Sequence, residues 1–89
     1  MAWTIEYSAD ARKTLAKLDR PDSRHILDYL DEVAALDDPR TRGHGLTGNL
    51  AGLWRYRVGD WRVVCIINDR QLIIVAIDIG HRSTIYRRS

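Results

Sequence analysis

The sequence predicts an α+β fold in the order β-α-α-β-β-β. An N-terminal strand leads into an α-helical hairpin packed on one face of a mostly antiparallel sheet of four to five strands. Three observations carry this expectation. Two stretches with apolar residues at helical spacing lie in the first half of the chain, three closely spaced strand segments fill the second, and a Gly59-Asp60 pair separates the first two of those. The 89 residues form a single domain, residues 1–89, with no internal repeat or linker. A chain of this size buries only about 60–65% of its unfolded surface, so a partner that covers apolar surface matters to it.

Trp3-Thr4-Ile5-Glu6-Tyr7 alternates apolar and polar residues, the period of a half-buried strand. Ser8 is placed to cap the following helix, on which Ala11, Leu15 and Leu18 share one face. Asp19-Arg20-Pro21 breaks that helix, and Asp22 or Ser23 caps a second. Its stripe is Ile26, Leu27, Leu30, Val33 and Ala34, and Asp37-Asp38-Pro39 closes it. Arg40–Gly52 holds four glycines and no sustained period, and reads as a loop with a turn near Leu46. Strand segments follow at Leu53–Val58, Trp61–Ile67 and Leu72–Ile79, and the tail from His81 to Ser89 has room for one more short strand.

A two-residue loop at Gly59-Asp60 pairs Val58 with Trp61, Arg57 with Arg62, Tyr56 with Val63 and Arg55 with Val64. Arg55, Arg57 and Arg62 then share one face, with Arg57 directly opposite Arg62. Like charges in direct cross-strand contact are destabilising, so this pair calls for compensation. A bound phosphate supplies it; so would a carboxylate, with Asp78 and Glu6 as candidates. The hairpin's only acidic residue is Asp60 in the turn, which favours the anion. The later strands are apolar on both faces, Val64 and Ile66 on one and Val63, Cys65 and Ile67 on the other. Two helices cover only one of these, so loops, the tail or another chain must cover the second.

Charge is divided along the chain. Residues 1–40 carry six basic and nine acidic side chains, and residues 41–89 carry eight basic and three acidic. All eight basic residues of the second half are arginine. Arginine binds phosphate through a planar fork, and this bias points to a polyanionic partner as readily as to an arginine-rich genome. No apolar run approaches the roughly 18 residues of a membrane span, and the N-terminus lacks a signal-peptide layout. The one cysteine, Cys65, excludes an internal disulfide and a cysteine-based zinc site, and the default location is the cytoplasm. The histidines lack paired ligand spacing, so no metal or other cofactor is expected.

One cluster has chemistry to offer: Arg55, Arg57, Arg62, His81, Arg82 and Tyr86. These side chains suit metal-free phosphodiester cleavage. Arginines neutralise the scissile phosphate and the charge that develops on it, and His81 or Tyr86 moves protons. RNA carries its own nucleophile in the 2′-hydroxyl, so positioning and charge stabilisation suffice. Spacing alone favours Arg82 as a surface ion-pair residue and Tyr86 as an edge-strand aromatic. Trp3, Trp54 and Trp61 read as core residues, and His25 as structural. His44, in the glycine-rich loop, reads as a solvated residue.

Leu46–Tyr86, LTGNLAGLWRYRVGDWRVVCIINDRQLIIVAIDIGHRSTIY, resembles the RelE toxin family of bacterial type II toxin–antitoxin modules. The marks are a leucine-glycine stretch before the hairpin, the W-R-x-R-V-G-D-W-R-V block and a closing G-H-R-x-x-x-Y; the chain's length and element order also fit. The resemblance implies a ribosome-dependent mRNA endoribonuclease held inactive by a cognate antitoxin. Its other partners are the ribosome, through 16S rRNA and mRNA, and operator DNA through the antitoxin alone. By position, Arg62 matches the arginine that holds the phosphate and Arg82 the one that stabilises transition-state charge. Tyr86 matches the tyrosine that stacks on a base and is a candidate general base. Arg55 and Arg57 match basic residues near the active site or ribosomal RNA, and His81 stands where some relatives have lysine. Two other readings share the fold: a ParE-like gyrase inhibitor without nuclease activity, and an inactive homologue that acts only as an antitoxin-binding corepressor.

Overall fold

The computed structural model describes residues 3–81, so Arg82, Tyr86 and the short strand expected in the tail lie outside the described residues. The elements are β1 (Thr4–Tyr7), α1 (Ala9–Lys17), α2 (Arg20–Ala34), β2 (His44–Gly45), β3 (Trp54–Val58), β4 (Trp61–Asn68) and β5 (Ile73–His81). The sheet runs in the order β1-β5-β4-β3-β2. β1 lies parallel to β5, which makes the sheet mixed, and the other pairings are antiparallel. Parallel neighbours need a long crossover, which the intervening helices and hairpin provide. Both helices pack on one face, where Ala11, Ile26, Leu30 and Val33 meet Tyr56, Val58, Val63, Cys65, Ile74, Ala76 and Ile79.

Ser8 does more than cap α1. Its Oγ accepts from the Ala11 N–H at 3.1 Å and donates to the Ile77 carbonyl at 2.9 Å, while its backbone N–H donates to the Ala76 carbonyl. Helix α2 starts earlier than the sequence reading placed it, at Arg20, with Pro21 inside its first turn. A proline there forfeits no intrahelical hydrogen bond, so it opens this helix and does not merely end the one before. Ser23, expected as a cap, instead donates to the Leu15 carbonyl at 2.7 Å and ties α2 to α1.

The bond from Ser8 to Ile77 marks a β-bulge. Cys65 pairs with Ala76 but Val64 pairs with Asp78, so Ile77 is an extra residue in β5. Without it, Asp78 would lie opposite Val63 in the core and Ile79 opposite Arg62. The bulge shifts the alternation by one, turning Asp78 out and Ile79 in, where Ile79 is 3% exposed.

The segment between α2 and β3, which includes the Arg40–Gly52 stretch expected as a loop with a turn near Leu46, is held to the sheet by long-range bonds. Trp3 Nε1 donates to the Asp37 carbonyl at 3.3 Å, Tyr56 Oη to that of Pro39 at 2.8 Å and Trp54 Nε1 to that of Arg42 at 2.7 Å. Arg40 makes a bidentate ion pair with Asp69, both contacts at 2.9 Å, which joins this segment to the β4–β5 turn. These contacts order two 3-10 turns, at Pro39–Thr41 and Gly48–Leu50, and the two-residue β2. Gly43 sits at φ +80, and a Cβ there would strike the Arg55 carbonyl and come within 2.7 Å of Trp54 Nε1. Burial pushes the Cys65 thiol up to about 12, so it stays a neutral core residue.

Two substitutions test these supports. Ser8→Ala removes the α1 cap and the bulge bond together and lowers stability by about 2 kcal/mol, read from urea unfolding. Gly43→Ala combines a left-handed backbone with a steric clash and costs at least about 2 kcal/mol in the same assay.

Candidate functional site

The observed β3–β4 register pairs Val58 with Trp61, Arg57 with Arg62, Tyr56 with Val63 and Arg55 with Val64. Tyr56, Val58 and Val63 point into the core. Arg55, Arg57 and Arg62 therefore share the face away from the helices, and the hairpin expected from the sequence is the hairpin found. Gly59 begins the turn at φ +60, the conformation that lets two residues reverse the chain.

Two rows of paired residues cross this arginine face. One runs His44, Arg55, Val64, Asp78; the other runs Arg57, Arg62, Gly80. Among the described residues, no carboxylate forms an ion pair with Arg57 or Arg62. Glu6, one carboxylate considered for that role, shares this face but lies on β1 beside Val75, at the far edge of the sheet, with β5 and β4 between it and β3. Asp78 shares the arginine face, opposite Val64. Arg62 Nη1 is shielded from solvent and has no hydrogen-bond partner among the described residues. A shielded cationic N–H without an acceptor is costly, and the oxygens of a bound anion would satisfy it. Arg57 is more exposed, and its Nε reaches only the Gly59 carbonyl, at 3.4 Å.

His81 is not brought to this cluster. It pairs with Trp61, and its ring stands edge-on to that indole, with centroids 5.7 Å apart and planes at 87°. Both rings lie on the helix-covered side, where they border a cleft of about 350 Å³ together with Asp22, His25 and Asp60. The physical reason is the bulge at Ile77, which reverses the alternation of β5 before its last residues. A strand without it would have carried His81 to the arginines. In exchange the face carries His44, paired with Arg55 on β2. The sequence places His44 in a loop as a solvated residue; the glycines on either side of it are the one local signal of a close backbone approach. Among the described residues, no group of three or more His, Cys, Asp or Glu could hold a metal ion, and no helix is long and apolar enough to cross a membrane.

The apolar remainder of the arginine face is unevenly covered. Val64 is 5% exposed, whereas Ile66, two residues further along β4, is 43% exposed.

The chain is thus a small mixed sheet with a helical hairpin on one side and clustered arginines on the other. The chain matches the family model for the ParE toxin of the type II toxin–antitoxin system parDE over residues 5–86. It belongs to that family, and is a type II toxin of the RelE/ParE superfamily. Toxin RelG of Mycobacterium tuberculosis is 33% identical over 91 residues, spanning 99% of this chain and 100% of that protein. The RelBE2 toxin–antitoxin complex of the same organism contains a chain that superposes with a TM-score of 0.83 at 24% identity, covering 93% of this chain and 94% of that one. A double mutant of the E. coli toxin RelE in its free state superposes with a TM-score of 0.78 at 20% identity, covering 97% of this chain and 90% of that one. These two likenesses establish the fold.

The Arg57–Arg62 contact has a measurable signature. Arg57→Gln removes the like-charge pair and raises stability by about 0.5 kcal/mol at low ionic strength, and the gain shrinks as salt screens the repulsion. Thermal melts at two salt concentrations check both parts.

Proposed function

We propose that the protein is a ribosome-dependent mRNA endoribonuclease that cleaves without a metal. The observation that carries this reading is Arg62, whose shielded Nη1, without a partner among the described residues, lies on the same face as Arg55 and opposite Arg57. Three guanidiniums on one rigid hairpin suit a phosphodiester, whose non-bridging oxygens gain charge in the transition state. In this reading Arg62 holds the scissile phosphate, with Arg55 and Arg57 neutralising the flanking backbone. Arg82 and Tyr86, taken from the resemblance to RelE toxins, complete the site as the charge-stabilising arginine and the base-stacking tyrosine. The 2′-hydroxyl attacks the adjacent phosphorus, the bond to the 5′-oxygen breaks, and a 2′,3′-cyclic phosphate remains. His81 lies across the sheet from the arginines, so proton transfer in this reading does not run through it.

The inhibitory partner in this reading is a cognate antitoxin. The RelE–RelB complex from Pyrococcus horikoshii contains a chain that superposes on this one with a TM-score of 0.73 at 25% identity, and there the similar fold occurs with an antitoxin. An antitoxin that covers Ile66 and the arginines would remove both the exposed apolar surface and the like-charge cost. The toxin then acts in the cytoplasm on mRNA bound beside 16S rRNA, and meets operator DNA only through that antitoxin.

A second reading has a specific observation behind it, since the matching family is named for ParE. A gyrase-directed toxin would use the same fold without cutting RNA. Primer extension on a defined mRNA in purified translating ribosomes separates the two. Antitoxin-free wild-type protein is expected to cut within the codon at the decoding site, and Arg62→Ala to lower the rate by about 100-fold or more. Absence of cuts, together with gyrase-dependent DNA breaks, would establish the second reading instead.

A further inference from the structure

His44 occupies a position that its sequence context disguises. It forms a β-bridge with Arg55 across β2 and β3, and so stands at the head of the row that continues through Val64 to Asp78. Its neighbours fix which way it faces. A Cβ on Gly43 would approach Trp54 Nε1 and Tyr56 Cδ1, and a Cβ on Gly45 would lie 3.3 Å from the Trp54 ring. Both glycines therefore turn toward the core aromatics, and His44 between them turns to the arginine face, where it is exposed. Directly opposed residues of an antiparallel pair have Cβ atoms about 5 Å apart, and strands lie about 4.8 Å apart. His44 thus lies about 5 Å from Arg55 and, two strands across and two residues along, roughly 12 Å from Arg62, so an imidazole and extended guanidiniums from β2, β3 and β4 can reach one nucleotide.

We propose that His44 is the general base of the cleavage reaction, an inference that rests on the nuclease reading above. Imidazole is the side chain best suited to exchanging a proton near neutral pH. Among the described residues, His44 is the histidine that the sheet register sets on the arginine face, since His81 sits against Trp61 on the other side and His25 lies on α2. The ring nitrogen of His44 takes the proton of the 2′-hydroxyl as its oxygen bonds to phosphorus. The bond from phosphorus to the 5′-oxygen breaks, the leaving oxygen takes a proton from water, and the imidazolium returns its own to solvent. The long-range bonds from Trp54 and Tyr56 then have a functional consequence, because they hold the edge strand that carries the base.

Among the described residues, the titratable and charged groups that share this face with His44 are Arg55, Arg57, Arg62 and Asp78, with Glu6 at the far edge on β1. The test is the pH dependence of single-turnover cleavage on mRNA-programmed ribosomes from about pH 5.5 to 8.5, with wild-type protein, His44→Gln and His81→Gln. The wild-type rate should rise with pH across this interval and level off. His44→Gln should flatten that rise and lower the plateau by about 100-fold while keeping the wild-type melting temperature. Added imidazole should restore part of the rate to His44→Ala, a rescue that lost packing would not show. A rise that persists at near wild-type rate in His44→Gln, or that vanishes in His81→Gln instead, overturns the assignment while leaving the nuclease reading intact. Wild-type protein that cuts no mRNA overturns both.

Discussion

The extra residue in β5, Ile77, determines which side chains meet on each face of the sheet, and the rest of the architecture depends on it. A regular strand would pair Val63 with Asp78 and so bury a carboxylate among Ile26, Leu30 and Val33, a cost of several kcal/mol for an unpaired charge. The bulge moves the alternation by one residue, so that Ile79 enters the core and Asp78 leaves it. A bulge leaves backbone groups outside the sheet ladder, and here the Ile77 carbonyl accepts from Ser8 Oγ. The hydroxyl that starts α1 thus also secures the irregularity in β5. The first helix cannot be repositioned without disturbing the sheet's division into a core face and an arginine face.

A second constraint acts at the other edge. β2 has only two residues, too short to hold a place in a sheet by its own pairing. Its position comes from the segment before it, where Trp3, Tyr56 and Trp54 each donate to a main-chain carbonyl between Asp37 and Arg42. The Tyr56 bond is buried, where an unmade hydrogen bond is expensive, and burial raises that tyrosine's pKa well above the ordinary phenol value. The exposed Arg40–Asp69 pair holds Asp69 below the usual carboxylate range, yet solvent screening limits its worth. The aromatic donors, then, hold the edge, and the ion pair chiefly sets where the β4–β5 turn sits against it.

What the sequence revealed follows from the range of the interactions involved. The β3–β4 hairpin is local: Gly59-Asp60 sets the register, and strict alternation from Arg55 to Val63 sets the faces, so each of its pairings could be derived. The helices were legible because Ile26, Leu30 and Val33 recur at helical spacing, although Pro21 proved to open α2. β2 was illegible, because two residues between glycines have no period and their order comes from partners about ten or more residues away in sequence. The face of His81 was illegible for a related reason. Nothing in LIIVAIDIGH announces an extra residue at Ile77; the signal is the charge of Asp78 in an otherwise apolar strand, and it becomes decisive only once the register with β4 is known. The family resemblance assigned roles to arginines that share one hairpin, but position in a motif could not say that the bulge carries His81 away from them.

The arginine face is where this fold departs from what stability alone would choose. Elsewhere charged side chains such as Arg40 and Arg42 are paired with carboxylates, buried Tyr56 donates to a main-chain carbonyl, and the core carries no buried charge. On this one face Arg57 is set against Arg62, and a shielded guanidinium nitrogen of Arg62 has no acceptor among the described residues. Exposed Ile66 lies on the same side of the sheet. Each feature is unfavourable in the isolated domain, and each is relieved by a ligand that brings oxygen acceptors and covers apolar surface. A phosphodiester backbone relieves the first two, and a protein partner with acidic and apolar side chains relieves all three. Under the proposed function, competition between these two ligands for one face would be a sufficient physical basis for inhibition. In the proposed reading, a partner that covers the arginines would exclude the polyanion without altering the toxin's fold.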